Sequence, residues 1–303
     1  MVTTTQTPQL TNRQKRRDNK VAFLMLAPAL ILLSIFVIWP LVYAWIVSFY
    51  NWSFYEESTF VGLNNFRIVL SDPKFRASIV RVLFFSVIVV PVMLVIAFLF
   101  ANLVKAVGAK LGTVLKVSIY IPTVISSVIA SIVFVLVYEF RVGLLNWVLG
   151  FFGVANIPWL GRADTALYAL TAPAIWIGLG LASLIMLAGL LDVPETYYEA
   201  AEIDGANWWQ RTIGLTIPLM KNIILYLLVT GFVVSLQQFE LPLIMTNGGP
   251  INSTLFPNLL IFQRFTNDLF VGYSLAAALL LFLVLGALSA VIFRLVNSEK
   301  SGE

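Results

Sequence analysis

Residues 21–49 read VAFLMLAPALILLSIFVIWPLVYAWIVSF and contain no Asp, Glu, Lys or Arg. An α-helix rises about 1.5 Å per residue and the hydrocarbon of a bilayer is about 30 Å thick, so roughly 20 apolar residues suffice to cross it. The run is therefore predicted to be a membrane-spanning helix. It is longer than a signal-peptide core and no small-residue cleavage site follows it, so it is expected to be retained. Five further stretches meet the same length requirement, at residues 79–103, 114–138, 165–191, 223–244 and 272–296. Composition agrees: 60% of the 303 residues are hydrophobic and 11% charged, with a mean hydropathy of +0.92. Soluble domains are nearer half apolar and a quarter charged. The expected fold class is all-α, a polytopic membrane protein of six transmembrane helices. Residues 1–20 and 297–303 are expected to be polar tails around one membrane domain at 21–296, with no internal repeat or low-complexity linker.

Cys and His are both absent. That removes disulfides, thiolate nucleophiles, imidazole relays and His- or Cys-based metal sites, and no metal site is expected from the remaining carboxylates. The chain also lacks the GxxxxGK[ST] loop that cradles nucleotide phosphates, so it is expected to bind no ATP and to have no catalytic residues. Arg13, Lys15, Arg16, Arg17 and Lys20 precede the first span. In so apolar a chain they read as a topology signal rather than a nucleic-acid site, and they place the N-terminus in the cytoplasm. An even number of spans then returns the C-terminus to the same side. Of the 19 Lys and Arg residues, 12 fall on the proposed inside and seven outside. The second loop, with Lys105, Lys110, Lys116 and no acid, is the clearest local witness.

The connection at residues 192–222 differs from the others. It holds Asp192, Glu195, Glu199, Glu202 and Asp204 against only Arg211 and Lys221. Asp192 is expected to cap a helix, with Pro194 in its first turn and Glu195 completing a capping box. That helix should break at Asp204-Gly205, and a second short helix should run from Ala206 toward Arg211. Two explanations compete. The loop is either a solvated amphipathic hairpin, or a docking surface on which Tyr197, Tyr198, Trp208 and Trp209 serve as aromatic anchors.

The string Glu199-Ala200-Ala201-Glu202-Ile203-Asp204-Gly205-Ala206, followed by Leu215-Thr216-Ile217-Pro218-Leu219, resembles the EAA loop of ABC importer permeases. Thr212 stands where that family usually has an aromatic residue. The segment Phe60-Val61-Gly62-Leu63-Asn64-Asn65-Phe66 with Asp72-Pro73 and Phe75, and the turn Thr246-Asn247-Gly248-Gly249-Pro250 with Ser253-Thr254, narrow the resemblance to the carbohydrate branch, the maltose-permease-like type I importers. The resemblance implies a MetI-like permease core whose coupling loop, including Tyr198, Glu199, Ala200, Ala201, Asp204, Gly205 and Ala206, docks on a cytoplasmic ATPase. It further implies two ATPase subunits that hold ATP and Mg, a second homologous permease, an extracytoplasmic solute-binding protein and a sugar substrate, a di- or oligosaccharide or a related polyol or glycerol phosphate. The location implied is the cytoplasmic membrane of a prokaryote. Where the second helix of this branch usually begins with an Asn-Thr pair, this chain has Val80-Arg81.

Polar groups within a span are costly unless paired, which singles out Ser235, Gln237, Gln238 and Glu240. They serve either as helix-to-helix hydrogen bonds or as substrate contacts. By resemblance, Ser235, Gln237 and Gln238, with Thr123, Ser127 and Gly178 on neighbouring helices, fall where the maltose-type permease meets its sugar. Leu181 stands where that permease has a tyrosine. Glu240 lies outside the pattern as a further polar contact. An ion-gradient-driven transporter of a small polar solute is the alternative, although such proteins usually bury ionisable groups at mid-span.

Overall fold

The computed structural model describes residues 12–52 and 57–297 of the chain. Most of the predicted N-terminal tail, and Lys300 of the charge count, lie outside the described residues.

Helix α1 (Asn12–Leu33) passes through a π-helical turn at Ser34–Ile38 into α2 (Trp39–Val47). The helix therefore begins ahead of the apolar run, with Arg13, Lys15, Arg16 and Arg17 on its opening turns, and the stretch apolar enough to span starts at Lys20. A two-residue hairpin, β1 (Tyr50–Asn51) against β2 (Thr59–Phe60), leads to α3 (Asn64–Ser71) and the long α4 (Pro73–Ala106). Helices α5 (Ala109–Val124) and α6 (Ser127–Val137) meet at 98°. Pro122 in the last turn of α5 and an N-cap at Ser126, whose hydroxyl accepts the Val128 N–H at 3.3 Å, account for that break. After α7 (Leu144–Gly150) and α8 (Ala166–Ala169), α9 (Thr171–Asp192) runs uninterrupted to the 192–222 connection. That connection holds α10 (Glu195–Ile203), α11 (Trp208–Arg211), a π-helical turn at Thr212–Thr216 and α12 (Ile217–Leu219). Finally come α13 (Lys221–Leu236), α14 (Glu240–Met245), α15 (Pro257–Thr266) and α16 (Val271–Asn297).

Among the described residues five helices are long and apolar enough to span a bilayer, and six if the bent α5–α6 pair is one span. The expected number of spans is thus reached only through a broken helix. The predicted fifth span is also interrupted, at residues 237–239, before Glu240 starts α14.

Helix α4 is the central post. Phe75 belongs to one buried cluster with Val69, Leu259 and Ala276, while Val82, Phe85 and Val89 join Leu170, Leu241 and Phe256 in a second. Met93, Ala97 and Val104 join Met186, Leu190 and Met220 in a third, beside the 192–222 connection. Glycine lets the neighbouring helices close on one another. A Cβ at Gly180 would lie 2.5 Å from the Ile119 carbonyl of α5, and one at Gly231 would lie 3.1 Å from Val90 of α4. The first span contributes almost nothing to these clusters and exposes Phe23, Leu24, Phe36 and Trp39. An apolar face turned away from the core suits lipid or a second membrane subunit, since without water such a face carries no penalty.

Candidate functional site

The 192–222 connection is a built structure and not a loose loop. Asp192 is the last residue of α9, not the cap of α10: the N-cap position is Pro194, without a side-chain cap bond. Proline forces Val193 into extended backbone (φ −75°, ψ 118°), so the chain leaves α9 one residue too late for Asp192 to cap. Glu195 is correspondingly free of a capping box. It favours the first turn of α10 by its charge and reaches Lys105 Nζ at 3.1 Å.

The break at Gly205 follows the sequence expectation. Gly205 has φ +74°, its N–H donates to the Glu202 carbonyl at 3.0 Å, and the Ala206 N–H donates to the Ala201 carbonyl at 2.9 Å. This pair of bonds is the Schellman arrangement that ends a helix on a left-handed glycine. Asn207 then caps α11: its Oδ1 accepts the Gln210 N–H at 3.0 Å, and its own N–H donates to Gln210 Oε1 at 2.7 Å. An ion pair between Arg211 and Glu202 ties α11 back to α10.

Two faces result. Tyr198 turns inward, its hydroxyl 3.1 Å from Thr216 Oγ1 and its ring 4.3 Å beneath Lys105 Nζ, so it anchors the connection to the bundle and is not an outward aromatic anchor. Thr212, where an aromatic residue was the family norm, is buried beneath α11. The other face exposes Tyr197, Ile203, Trp208, Trp209 and Ile213 beside Glu199, Ala200 and Asp204. Ile203 is 87% exposed and Trp209 66%. Apolar and aromatic side chains this exposed at the tip of a charged connection mark an interaction site.

Between α4, α5, α9, α13 and α14 lies a cavity of about 460 Å³. Thr123, Gly178, Ser235 and Gln238 line it. Ser127, Gln237 and Glu240 do not. Ser127 sits past the 98° bend, and its carbonyl accepts the Ser131 hydroxyl at 2.6 Å. Gln237 ends α13 facing outward, with its carbonyl taken by Asn258 Nδ2 at 2.8 Å. Glu240 begins α14 on the exposed side. At about 100° per residue, Gln237 and Glu240 fall on the side of the helix away from Ser235, whereas Gln238 falls within about 60° of it.

Thr230 and Tyr226 line the cavity and were missed, although their i, i+4 spacing on α13 continues to Val234 on the same wall. The wall is otherwise apolar, with Phe85, Val89, Met93 and Leu181 among its residues. Thr123 donates to the Ile177 carbonyl at 3.2 Å, whereas the buried Ser235 hydroxyl has no hydrogen-bond partner. A lone donor on an apolar wall is what a polar ligand would satisfy. No group of three potential metal-ligating side chains occurs among the described residues.

At the end of the bundle away from the 192–222 connection, the Asn65 and Asp72-Pro73 signature is structural. Asn65 Nδ2 donates to the carbonyls of Ser48 at 2.8 Å and Tyr50 at 2.9 Å. Asp72 caps α4 through the Lys74 N–H at 2.8 Å and accepts the Tyr273 hydroxyl at 2.7 Å. Arg264 bonds Asp268 at 2.7 Å and approaches Asp72 at 3.6 Å. Partial burial pushes the Asp72 carboxyl up. The Tyr273 hydroxyl, the Lys74 N–H and the Arg264 charge together outweigh it and hold the group below the usual carboxylate range.

The model of the family described as "binding-protein-dependent transport system inner membrane component" matches residues 73–301. The trehalose/maltose transport system permease protein MalF of Thermococcus litoralis is 32% identical over 257 residues, 84% of this chain and 87% of its own. The sulfoquinovosyl glycerol transport system permease protein SmoG of Agrobacterium fabrum is 30% identical over 300 residues, 97% of this chain and 96% of its own. A solved chain of a bacterial alginate ABC transporter, in complex with an alginate pentasaccharide-bound periplasmic protein, superposes with a TM-score of 0.78 at 22% identity. The match covers 93% of this chain and 94% of that one, and at such identity it speaks to the fold.

Proposed function

Because the chain belongs to the family of binding-protein-dependent transport system inner membrane components, we propose that this ABC importer permease carries a di- or oligosaccharide, or a related polyol, through the cavity between α4, α9 and α13. ATP and Mg are held by two ATPase subunits docked on the exposed face of α10 and α11. A second, homologous permease completes the pathway, and an extracytoplasmic binding protein delivers substrate at the opposite end. Both termini are cytoplasmic in a prokaryotic inner membrane.

The observation that carries this reading is the 192–222 connection. Its two short helices are fixed to each other by the Gly205 turn and the Glu202–Arg211 pair, and its underside is fixed to the bundle by Tyr198. A rigid knob of this kind transmits displacement, so closure of the ATPase pair would move the helices that wall the cavity. Sugar as cargo is supported by the relatives named for trehalose/maltose and sulfoquinovosyl glycerol transport. It also fits a wall that pairs apolar surface with the Ser235 and Thr230 hydroxyls and the Gln238 amide. Glu240, exposed and off the cavity, offers no buried carboxylate for an ion-coupled cycle.

The test is affinity copurification of the wild-type chain and a Glu199→Lys, Gly205→Pro double variant from the native membrane. An ATPase and a second permease should accompany the wild type, and the ATPase should be lost from the variant. A wild-type chain that emerges alone from gentle detergent refutes the assignment of partners.

A further inference from the structure

The cavity wall has a direction. Residues Met93, Ile185 and Tyr226 lie toward the coupling connection, since α9 runs from Gly178 into it and α13 runs out of it. Residues Phe85, Ala174, Gln238 and Leu241 therefore form the far end. There the Phe85 ring, on the cavity wall, packs against Phe256 at 5.0 Å. Arg81 stands one helical turn beyond Phe85 on α4, at the flank of the cavity-lining face. A helical side chain leans toward its helix N-terminus, so the guanidinium extends away from Phe85 toward the start of α4.

Arg67, Arg76, Arg141 and Arg294 are exposed, whereas Arg81 is half-buried. Arg162 pairs with Asp164, Arg211 with Glu202, and Arg264 with Asp268. Arg81 has no ion pair and no hydrogen bond among the described residues, and its Nη1 is enclosed with no partner. It lies about 12 Å along α4 from Pro73, inside a segment apolar enough to span the membrane. An unpaired cation held there is costly and calls for an anion supplied from elsewhere. A lipid headgroup fits poorly, because a snorkelling arginine frees its guanidinium toward the interface and does not enclose one of its nitrogens in protein.

We propose that Arg81 is a specificity-determining residue at the entry end of the pathway and that the cargo is an anionic sugar, one bearing a carboxylate, sulfonate or phosphate. Guanidinium forks match such oxyanions in geometry and charge, whereas a neutral sugar would leave the fork unpaired. This inference rests on the sugar-importer reading above.

The experiment is uptake by the complete importer, with its binding protein, in proteoliposomes. The probes are maltotriose as the neutral trisaccharide, trigalacturonate as the carboxylate and glucose 6-phosphate as the phosphate. The expected result is uptake of an anionic probe by the wild type, with KM raised tenfold or more by Arg81→Gln and largely restored by Arg81→Lys. Three results overturn the proposal: wild-type uptake of maltotriose alone, an Arg81→Gln variant with unchanged KM for the anion, or loss of the second permease from purified Arg81→Gln complex, which would make Arg81 an interface charge. Uptake of no probe by a complex that couples to its ATPase overturns the sugar reading together with this one.

Discussion

Substituting Gly205 tests whether the coupling knob depends on backbone shape alone. A Cβ at this position would meet no atom within 4 Å, so a side chain there has room, and only its φ of +74° is at issue. Holding an L-residue in that region costs about 1–2 kcal/mol, more for a β-branched residue and least for asparagine. If docking requires the turn, that cost is charged against docking, and about 1–2 kcal/mol corresponds to about a 5- to 30-fold loss of affinity. Labelled ATPase titrated against the permease pair in nanodiscs should then bind Gly205→Val at the weak end of this range, Gly205→Ala nearer its middle and Gly205→Asn close to wild type. Wild-type affinity for Gly205→Val, or an asparagine variant as impaired as the valine one, would refute the reasoning.

Three further outcomes follow from the geometry. Tyr198→Phe removes the 3.1 Å contact to Thr216 and should cost about 0.5–1.5 kcal/mol, while Tyr198→Ala also removes the packing and should speed proteolysis of the 192–222 connection. Gly180→Val drives a side chain into the Ile119 carbonyl and pushes α9 off α5, which should cost about 1–3 kcal/mol of stability and lower the thermal midpoint of the detergent-solubilised protein. Asp72 has its pKa depressed in the fold, so its stabilisation is present above the unfolded value of about 4 and is lost as pH falls through the lower folded value. The thermal-midpoint gap between wild type and Asp72→Asn should therefore be constant from pH 8 to about pH 5 and close below about pH 4.

Runs of apolar residues made the spans legible because membrane thickness acts on length and composition alone. Their interruptions were not legible: the 98° bend after Pro122 and the gap at 237–239 depend on how the halves pack. In an apolar span no amphipathic period marks a break. Ser235 and Gln238 fall on the cavity wall, and ordinary helical spacing turns Gln237 and Glu240 to the other side. Around Gly205 the local chemistry was sufficient, since a left-handed glycine and an Asn cap act within a few residues. Asp192 failed as a cap because the proline two positions on ends α9 later than composition suggested. Tyr197 and Tyr198 are adjacent and chemically alike, and only packing decided which faced the bundle.

Helix α9 carries Gly178 on the cavity wall and ends at Asp192, with no break between them. It is therefore a lever arm of roughly 21 Å, at about 1.5 Å per residue. A tilt of about 10° about the cavity end would swing the Asp192 end by nearly 4 Å, roughly the width of one side-chain contact. Because Gly180 and Gly189 allow close passage against α5 and Ile223, the pivot has little slack, and motion imposed at either end must appear at the other.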